Sequence, residues 1–227
     1  MKSSSLFLLF VVLFNASTSH ARWRPQFGPP PFKIDVEVLR TFGDGCPMGS
    51  VAATMSPDQT SVSLLFDQLL TEIPPSPTPT QARRTCYVTL GIKFIGQYRV
   101  AIAGSDVRGF ASVPMNAMST ITVSHNSIYI SRRHQDRMNF TKKIMGPAEE
   151  NIEMFSRFQD ALLWSQCGTQ MRYGPTFPFM TISIEINSQN RNANENLIAA
   201  IDSFDYSTNA PLSYHLAWTP DTKNCPR

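Results

Sequence analysis

The side chains in this chain that could perform chemistry are a few histidines, scattered acids and four cysteines. Beyond residue 21 the histidines are His125, His134 and His215, and no Gly-x-Ser-x-Gly, His-x-His or His-Glu-x-x-His pattern accompanies them. A nucleophile needs an adjacent base, and a metal site needs clustered ligands. We therefore predict no catalytic residue, no metal site and no cofactor, and we expect His125 and His134 to lie in surface loops.

Paired carboxylates are the other arrangement that could support hydrolysis. Asp58, Asp67, Asp106 and Glu185 would supply a glycosidase pair if two of them lay about 5 to 10 Å apart. The chain has 17 acidic residues, so such a pair is easy to suggest, and solvated surface is the competing interpretation. A secreted hydrolase with paired carboxylates is therefore the alternative hypothesis.

Aromatic rings and amides are the groups that bind sugars, because rings contact the flat apolar sugar faces and amides bond to the hydroxyls. The stretch 187–196 (NSQNRNANEN) is dense in amides, although it also fits a polar loop. The leading hypothesis is a non-enzymatic extracellular module that binds a polysaccharide, a cell surface or a protein; a structural coat component is a third possibility. The candidate aromatic platforms, which could equally belong to the core, are Trp23, Phe27, Tyr129, Tyr173, Phe177 and Phe179.

The N-terminal residues have the composition of a secretion signal. Lys2 precedes an apolar run over 6–14, and Ser19-His20-Ala21 provides a small-x-small cleavage site. That run has nine residues, whereas a membrane-spanning helix needs about 20. We predict that residues 1–21 are removed and that the mature chain has no membrane span. The predicted localisation is secreted and extracellular.

All four cysteines, Cys46, Cys86, Cys167 and Cys225, follow the predicted cleavage site. Disulfides persist in the oxidising space outside the cell, so we predict two of them. Three pairings are possible. We favour Cys46 with Cys86 and Cys167 with Cys225, because each pair joins neighbouring parts of the chain. Asn139-Phe140-Thr141 is a possible glycosylation site if the organism is a eukaryote.

The remaining sequence predicts one all-β domain, a two-sheet β-sandwich or jelly roll. Residues 22–32 (RWRPQFGPPPF) indicate a proline-rich N-terminal arm, and 33–227 the single domain. The basic residues are scattered through a chain of net charge +3, so we predict no nucleic-acid partner.

Residues after the arm alternate with a period of two, the pattern of half-buried strands. The pattern predicts a hairpin around 96–97 and another around 125–126, each joining two short strands. One segment differs, because apolar residues over 148–163 fall near helical spacing and Pro147 precedes acids there. Periodicity therefore favours a helix over 148–163, although a strand remains open.

Five sets of residues in order resemble a known family. They are 46–51 (CPMGSV), 56–58 (SPD) with Thr60 and the strand ending at Phe66-Asp67, 84–88 (RTCYV), 106–111 (DVRGFA) and 164–168 (WSQCG). Together they resemble the secreted domain-of-unknown-function 4360 family over about residues 35–227. The resemblance implies secretion, a β-rich fold, two disulfides and strands in place of the helix over 148–163. It carries no catalytic residues to transfer.

Overall fold

The structure of the protein is a computed structural model. It describes residues 26–27, 29–94, 97–127, 137–157, 163–164, 170–171, 174–175, 179–192, 194–201 and 212–220. Every helix or strand assigned in these residues is a β-strand, which confirms the predicted all-β class. The described residues contain no helix of the length and apolarity needed to cross a membrane.

The larger of the two main sheets is antiparallel. Its described strands are β1 (Gln26–Phe27), β3 (Val51–Met55), β4 (Ser61–Phe66), β5 (Leu70–Ile73), β7 (Tyr98–Val113), β10 (Ala148–Arg157), β11 (Leu163–Trp164), β15 (Leu197–Ile201) and β16 (Leu212–Pro220). Its central strand is β7, and its path runs β3–β4–β16–β7–β15–β5, with β10 and β11 also paired to β7 and β1 paired to β16.

The smaller main sheet is also antiparallel. Its described strands are β2 (Ile34–Phe42), β6 (Thr80–Phe94), β8 (Met118–Ser127), β9 (Arg137–Met145) and β14 (Phe179–Asn190). They pair in the order β2–β6–β14–β8–β9. A separate ribbon pairs β12 (Gln170–Met171) with β13 (Gly174–Pro175).

Side-chain alternation determines which face of each strand is buried. In β14, Ile182, Ile184 and Ile186 are buried, whereas the residues between them are only half-buried. Successive side chains of a strand point to opposite faces, so the isoleucines line the core and their neighbours line the outer face. The longer strands of both sheets contribute inner faces of the same kind, and these apolar residues form one core cluster.

Polar contacts between the sheets show that they pack face to face. Thr71 Oγ1 of β5 lies 2.7 Å from Ser188 Oγ of β14, and Ser188 Oγ lies 2.9 Å from Ser119 Oγ of β8. All three side chains are buried, and each has a hydrogen-bonding partner, as buried hydroxyls require. The chain is therefore a two-sheet β-sandwich with a mainly apolar interior.

The predicted hairpin around residues 96–97 is wrong. β6, which ends at Phe94, pairs with β2 and β14 in the smaller sheet. β7, which begins at Tyr98, pairs with β10, β15 and β16 in the larger sheet. The short connection joins two sheets and not two neighbouring strands. Alternation identifies both strands but carries no information about their ladder partners.

The hairpin predicted around residues 125–126 is also wrong. Both residues lie within β8, where His125 pairs with Met138 of β9 and with Ile182 of β14. The second strand proposed there, 128–131, lies outside the described residues. The polar pair His125-Asn126 resembles a turn in the sequence. The sequence alone does not show that β8 pairs with a strand on each side.

The helix that periodicity favoured over 148–163 is wrong where the structure describes it, and the strand implied by the family resemblance is confirmed. Ala148–Arg157 is strand β10 and pairs with β7 along its whole length. Ile152 and Met154 are buried two positions apart, while Phe155 is exposed. The pairing with β7 therefore overrides a spacing of apolar residues that is also compatible with a helix.

Candidate functional site

The outer face of the smaller sheet carries exposed apolar side chains where the β2 and β6 strands meet. Phe42 is 64% exposed, Leu39 49% and Tyr87 41%. Phe42 and Tyr87 are ladder partners, and their ring centroids lie 6.0 Å apart with an interplanar angle of 40°. We call Leu39, Phe42 and Tyr87 the aromatic strip. The two rings contact each other, and Leu39 lies on the same face further along β6, over Gly91.

A β-bulge places Leu39 in the aromatic strip. The register between β2 and β6 shifts between Val38 and Arg40, so Leu39 is the extra residue. Its side chain lies across Gly91, the outer-face position of β6 that has no side chain of its own. A bulge re-aims one side chain, and here it turns a leucine outward on the same face as the two rings.

The turn after Phe42 is held tightly against β6. A Cβ on Gly43, whose φ is 120°, would lie 2.2 Å from the carbonyl oxygen of Thr85, so only glycine fits there. The Gly45 backbone N–H donates to that same oxygen at 2.9 Å. The Thr85 backbone N–H donates to Asp44 Oδ1 at 2.8 Å, and Arg84 donates to Asp44 Oδ2 at 3.3 Å.

These contacts also determine the protonation of the Asp44 carboxyl. Partial burial tends to raise its pKa, but the hydrogen bonds from Thr85 and Arg84 outweigh it and hold the pKa below the ordinary value. Asp44 is therefore a carboxylate near neutral pH, and it accepts the hydrogen bonds that fix the turn. This turn also fixes the end of β2 that carries Phe42.

A disulfide lies beneath the aromatic strip. Cys46 and Cys86 are joined with their Cα atoms 5.1 Å apart, across a sequence separation of 40. Both cysteines are fully buried, and Cys86 precedes Tyr87 in β6. The cross-link therefore ties the turn after Phe42 to the strand that carries Tyr87. Cys167 and Cys225 lie outside the described residues, so their pairing stays a prediction.

A row of ladder partners crosses the smaller sheet from the aromatic strip to the opposite edge. Phe42 pairs with Tyr87, Tyr87 with Ser183, Ser183 with Ser124, and Ser124 with Asn139. We call these residues the transverse row. Ser183 is half-buried and Ser124 is buried, whereas the side chains at both ends are exposed. The two middle positions of the row are therefore serines, and the one on β8 is covered.

An ion pair borders this row on the same face. Arg83 Nε donates to Glu185 Oε1 at 2.9 Å, and its Nη2 donates to Oε2 at 2.8 Å. The bidentate geometry fixes the two side chains relative to each other across the β6–β14 ladder. The carboxylate also raises the pKa of the Arg83 guanidinium above its ordinary value. The pair presents donors and acceptors of little net charge beside the rings.

The amide-rich stretch 187–196 divides between the sheet face and a turn. Asn187 and Gln189 lie on the outer face of β14, one position either side of buried Ser188. Asn190 is buried; its Nδ2 donates to the Glu195 carbonyl at 2.9 Å. Asn192 accepts a hydrogen bond from the Asn194 backbone N–H. Two of these amides therefore lie on the outer face of the sheet, and the others lie in or next to the turn.

The four acids proposed as a hydrolytic pair lie at four separate places. Asp58 lies in the turn before β4, where Ser56 and Thr60 donate to it and lower its pKa. Asp67 follows β4 at its other end, since β4 ends at Phe66. Asp106 lies in β7 of the larger sheet and Glu185 in β14 of the smaller sheet. The strand ladders therefore bring no two of them together as neighbours.

One open cavity is lined by two other acids. Its volume is about 490 Å³, and Glu149 and Glu195 both contribute to its wall, beside Pro114 and Pro147. Glu149 lies in β10 and Glu195 in the turn before β15, so only the pairing of both strands with β7 brings them to one cavity. Sequence spacing contained no signal for this arrangement.

The expectation that His125 lies in a surface loop is wrong. The residue is fully buried in β8; its Nε2 lies 3.4 Å from Ser105 Oγ of the opposite sheet, and its ring stacks on Phe140 at 5.5 Å. Burial lowers its pKa to about 4. His134 lies outside the described residues, and His215 is described only as a position in β16. Among the described residues, no three His, Cys, Asp or Glu side chains are grouped to hold a metal ion.

None of the aromatic residues singled out from the sequence belongs to the aromatic strip. Phe27 and Phe179 are described only as strand positions, in β1 and β14. Phe42 and Tyr87 were missed because each looks like an ordinary strand residue. Only the alternation in β6, where Cys86 and Val88 flank Tyr87, could have placed Tyr87 on the outer face. The other candidates, Trp23, Tyr129, Tyr173 and Phe177, lie outside the described residues.

Comparison with known proteins gives one curated relative and one solved structure of note. An uncharacterized secreted protein of Arthroderma benhamiae (strain ATCC MYA-4681 / CBS 112371) is 25% identical over 141 residues, which cover 62% of this chain and 56% of the relative. The match thus spans little more than half of the relative's length. The relative supports the localisation predicted from the N-terminal sequence, and the protein is secreted.

The solved structure is TmCBM61 in complex with β-1,4-galactotriose. It shares 8% sequence identity with this protein, over 83% of this chain and 88% of that one, with a TM-score of 0.23. At that TM-score the likeness carries no conclusion about function.

A family model gives the firmest match. The family is described as "Domain of unknown function (DUF4360)", and its model matches residues 32–220. That range contains both sheets of the sandwich except β1, and it includes the Cys46–Cys86 disulfide and the aromatic strip. The chain belongs to the DUF4360 family.

Proposed function

We propose that this protein is a non-enzymatic extracellular module that binds polysaccharide on the outer face of its smaller sheet. The observation that carries the proposal is the pair of exposed rings, Phe42 and Tyr87, held on a polar sheet face. Exposed apolar patches on secreted domains mark interaction surfaces. Aromatic rings suit the flat apolar faces of sugar rings.

The polar groups around the rings support the same ligand class. Ser183 of the transverse row and the Arg83–Glu185 pair offer donors and acceptors beside the aromatic strip. Asn187 and Gln189 add amides further along β14. A sugar chain presents both apolar ring faces and hydroxyls, so it would use both kinds of group.

The rings are also held in place before any ligand arrives. The disulfide, Gly43 and Asp44 fix the end of β2 against β6. A rigid platform loses little conformational entropy when it binds. This rigidity supports binding by a preformed surface.

The test is retention on insoluble polysaccharides. Cellulose, chitin, mannan and β-1,3-glucan should be used as probes in pull-down and affinity-electrophoresis assays. At least one probe should retain the secreted protein, and Phe42→Ala or Tyr87→Ala should each weaken binding about tenfold, a loss of about 1.4 kcal/mol.

Phe155→Ala provides the matched control, because Phe155 is 63% exposed on the larger sheet, away from the aromatic strip. It should bind as the unmodified protein does. The proposal fails if no probe retains the protein, or if Phe42→Ala and Tyr87→Ala bind as tightly as Phe155→Ala.

A further inference from the structure

We infer that Asn139 carries an N-linked glycan in the secreted protein and that this glycan closes the β9 end of the transverse row. The first part depends only on the sequon and its position in the fold. The second part rests on the proposed polysaccharide-binding function. Each part has its own experiment.

The fold places the sequon so that a glycan is compatible with the folded sandwich. Asn139 and Thr141 are exposed, whereas Phe140 between them is half-buried and stacks on His125. Asn139 and Thr141 therefore share the outer face. A glycan attached to the chain before folding would remain in solvent when β9 joins the sheet. An inward-facing asparagine would have to bury it.

Short side chains lie on one side of Asn139 in the sheet. Its ladder partner is Ser124, and the outer-face pair on the side toward the end of β9 is Thr122 with Thr141. The hydroxyls of that pair lie 3.1 Å apart. Asn139 itself is exposed, so a glycan on it would extend into solvent.

The modification is a glycosyl transfer from a lipid-linked oligosaccharide pyrophosphate. The Asn139 side-chain nitrogen bonds to the anomeric carbon of the first sugar, and the bond from that carbon to the phosphate oxygen breaks. The amide gives up one proton, and the lipid pyrophosphate leaves. The reaction requires a hydroxyl residue two positions after the asparagine, which Thr141 supplies.

The strand register places a glycan on Asn139 in line with the rings, where it would affect the binding of a long sugar chain. Asn139 and Phe42 are the two ends of one row that crosses the strands of the smaller sheet. Four strand spacings separate them, about 19 Å. A sugar chain that follows the row from the rings would meet the glycan at β9. We therefore expect bound polysaccharide to enter from the β2 side and to stop short of β9.

The first experiment measures occupancy and uses no ligand. The full chain should be secreted from a fungal host and its mass determined before and after peptide N-glycosidase treatment. The unmodified sequence and Thr141→Ser, which keeps the sequon, should both lose glycan mass on treatment. Asn139→Gln and Thr141→Ala should show no glycan mass at this site. Secreted protein with an unmodified Asn139 would overturn the inference.

The second experiment measures binding with and without the glycan. A probe retained by the protein should be offered as long chains and as short oligosaccharides. Asn139→Gln should bind the long chains several-fold more tightly than the glycosylated protein does, while binding of the short ones stays within twofold. Equal affinity of both forms for the long chains would overturn the boundary role of the glycan.

The outcomes separate this inference from the proposed function. If Phe42→Ala does not weaken binding, the proposed binding face fails, whereas the occupancy result at Asn139 stands on its own. If Phe42→Ala weakens binding and glycan removal has no effect, the proposed binding face is supported. The proposed role of the glycan as the limit of that face at β9 is then wrong.

Discussion

His125 lies on the inner face of β8, where burial places an ionisable ring between the two sheets. Its Nε2 lies 3.4 Å from Ser105 Oγ, and Phe140 stacks against the ring. Burial disfavours the charged imidazolium and lowers the pKa from an ordinary value of 6.5 to about 4. Protonation of this side chain is therefore linked to unfolding.

The stability of the protein should fall as the pH drops from about 6.5 to about 4. In that window the unfolded state binds a proton at His125 and the folded state does not, so lower pH favours unfolding. The difference between the two pKa values corresponds to about 3 kcal/mol in the free energy of unfolding. The protein keeps this stability above pH 6.5 and has lost it below pH 4. Urea denaturation at several pH values measures this loss.

His125→Gln provides the comparison, because glutamine does not titrate. Protonation of carboxylates whose pKa is lowered in the folded state, such as Asp44, also destabilises the protein in acid. That effect is the same in the variant and in the unmodified protein. The variant should therefore lose about 3 kcal/mol less than the unmodified protein between pH 6.5 and pH 4. Parallel pH profiles for the two proteins would contradict the prediction.

At the scale of elements, the turn between β2 and β3 is the feature that organises the candidate site. Asp44 and Gly45 bond to Thr85, and Cys46 is cross-linked to Cys86, so three consecutive residues are attached to β6. The same attachment holds Phe42 beside Tyr87. The disulfide therefore stabilises both the fold and the geometry of the aromatic strip.

Replacing the disulfide should destabilise the protein by about 4 kcal/mol, because a cross-link across some 40 residues restricts the unfolded chain. The double variant Cys46→Ala with Cys86→Ala avoids an unpaired thiol. Urea denaturation at neutral pH measures the change. A fully folded variant with unchanged stability would show that the turn's hydrogen bonds suffice without the cross-link.

At the scale of the whole molecule, an exported chain closes two sheets over one core. β7 pairs with strands on both of its sides, and buried hydroxyls connect the inner faces of the two sheets. The predicted signal and the pairing of Cys167 with Cys225 concern residues outside this described core. Both can be tested on the secreted protein.

Intact-mass analysis of the secreted, deglycosylated chain should give a polypeptide that begins at residue 22. Without reduction it should take up no alkylating reagent, and after reduction it should take up four equivalents, one for each cysteine. Peptide mapping should recover Cys46 linked to Cys86 and Cys167 linked to Cys225. Free thiols, or a retained N-terminal segment, would contradict this prediction.

Local patterns in the sequence determined the all-β class, the family and the export of this protein. Alternation along β2, β4 and β14 needs only neighbouring residues, because it reports which side chains face the core. The same alternation predicts strands without naming their partners, so both hairpins were wrong. A helical spacing in β10 was overridden by its ladder with β7.

Only the tertiary structure decided the candidate site. Phe42 and Tyr87 are far apart in the sequence, and the register of β2 on β6 makes them neighbours. The same kind of register aligns Asn139 with them and buries His125 between the sheets. The physical reason is that the alternation of a strand depends only on its own residues. Strand pairing and packing depend on contacts between segments that are distant in the sequence.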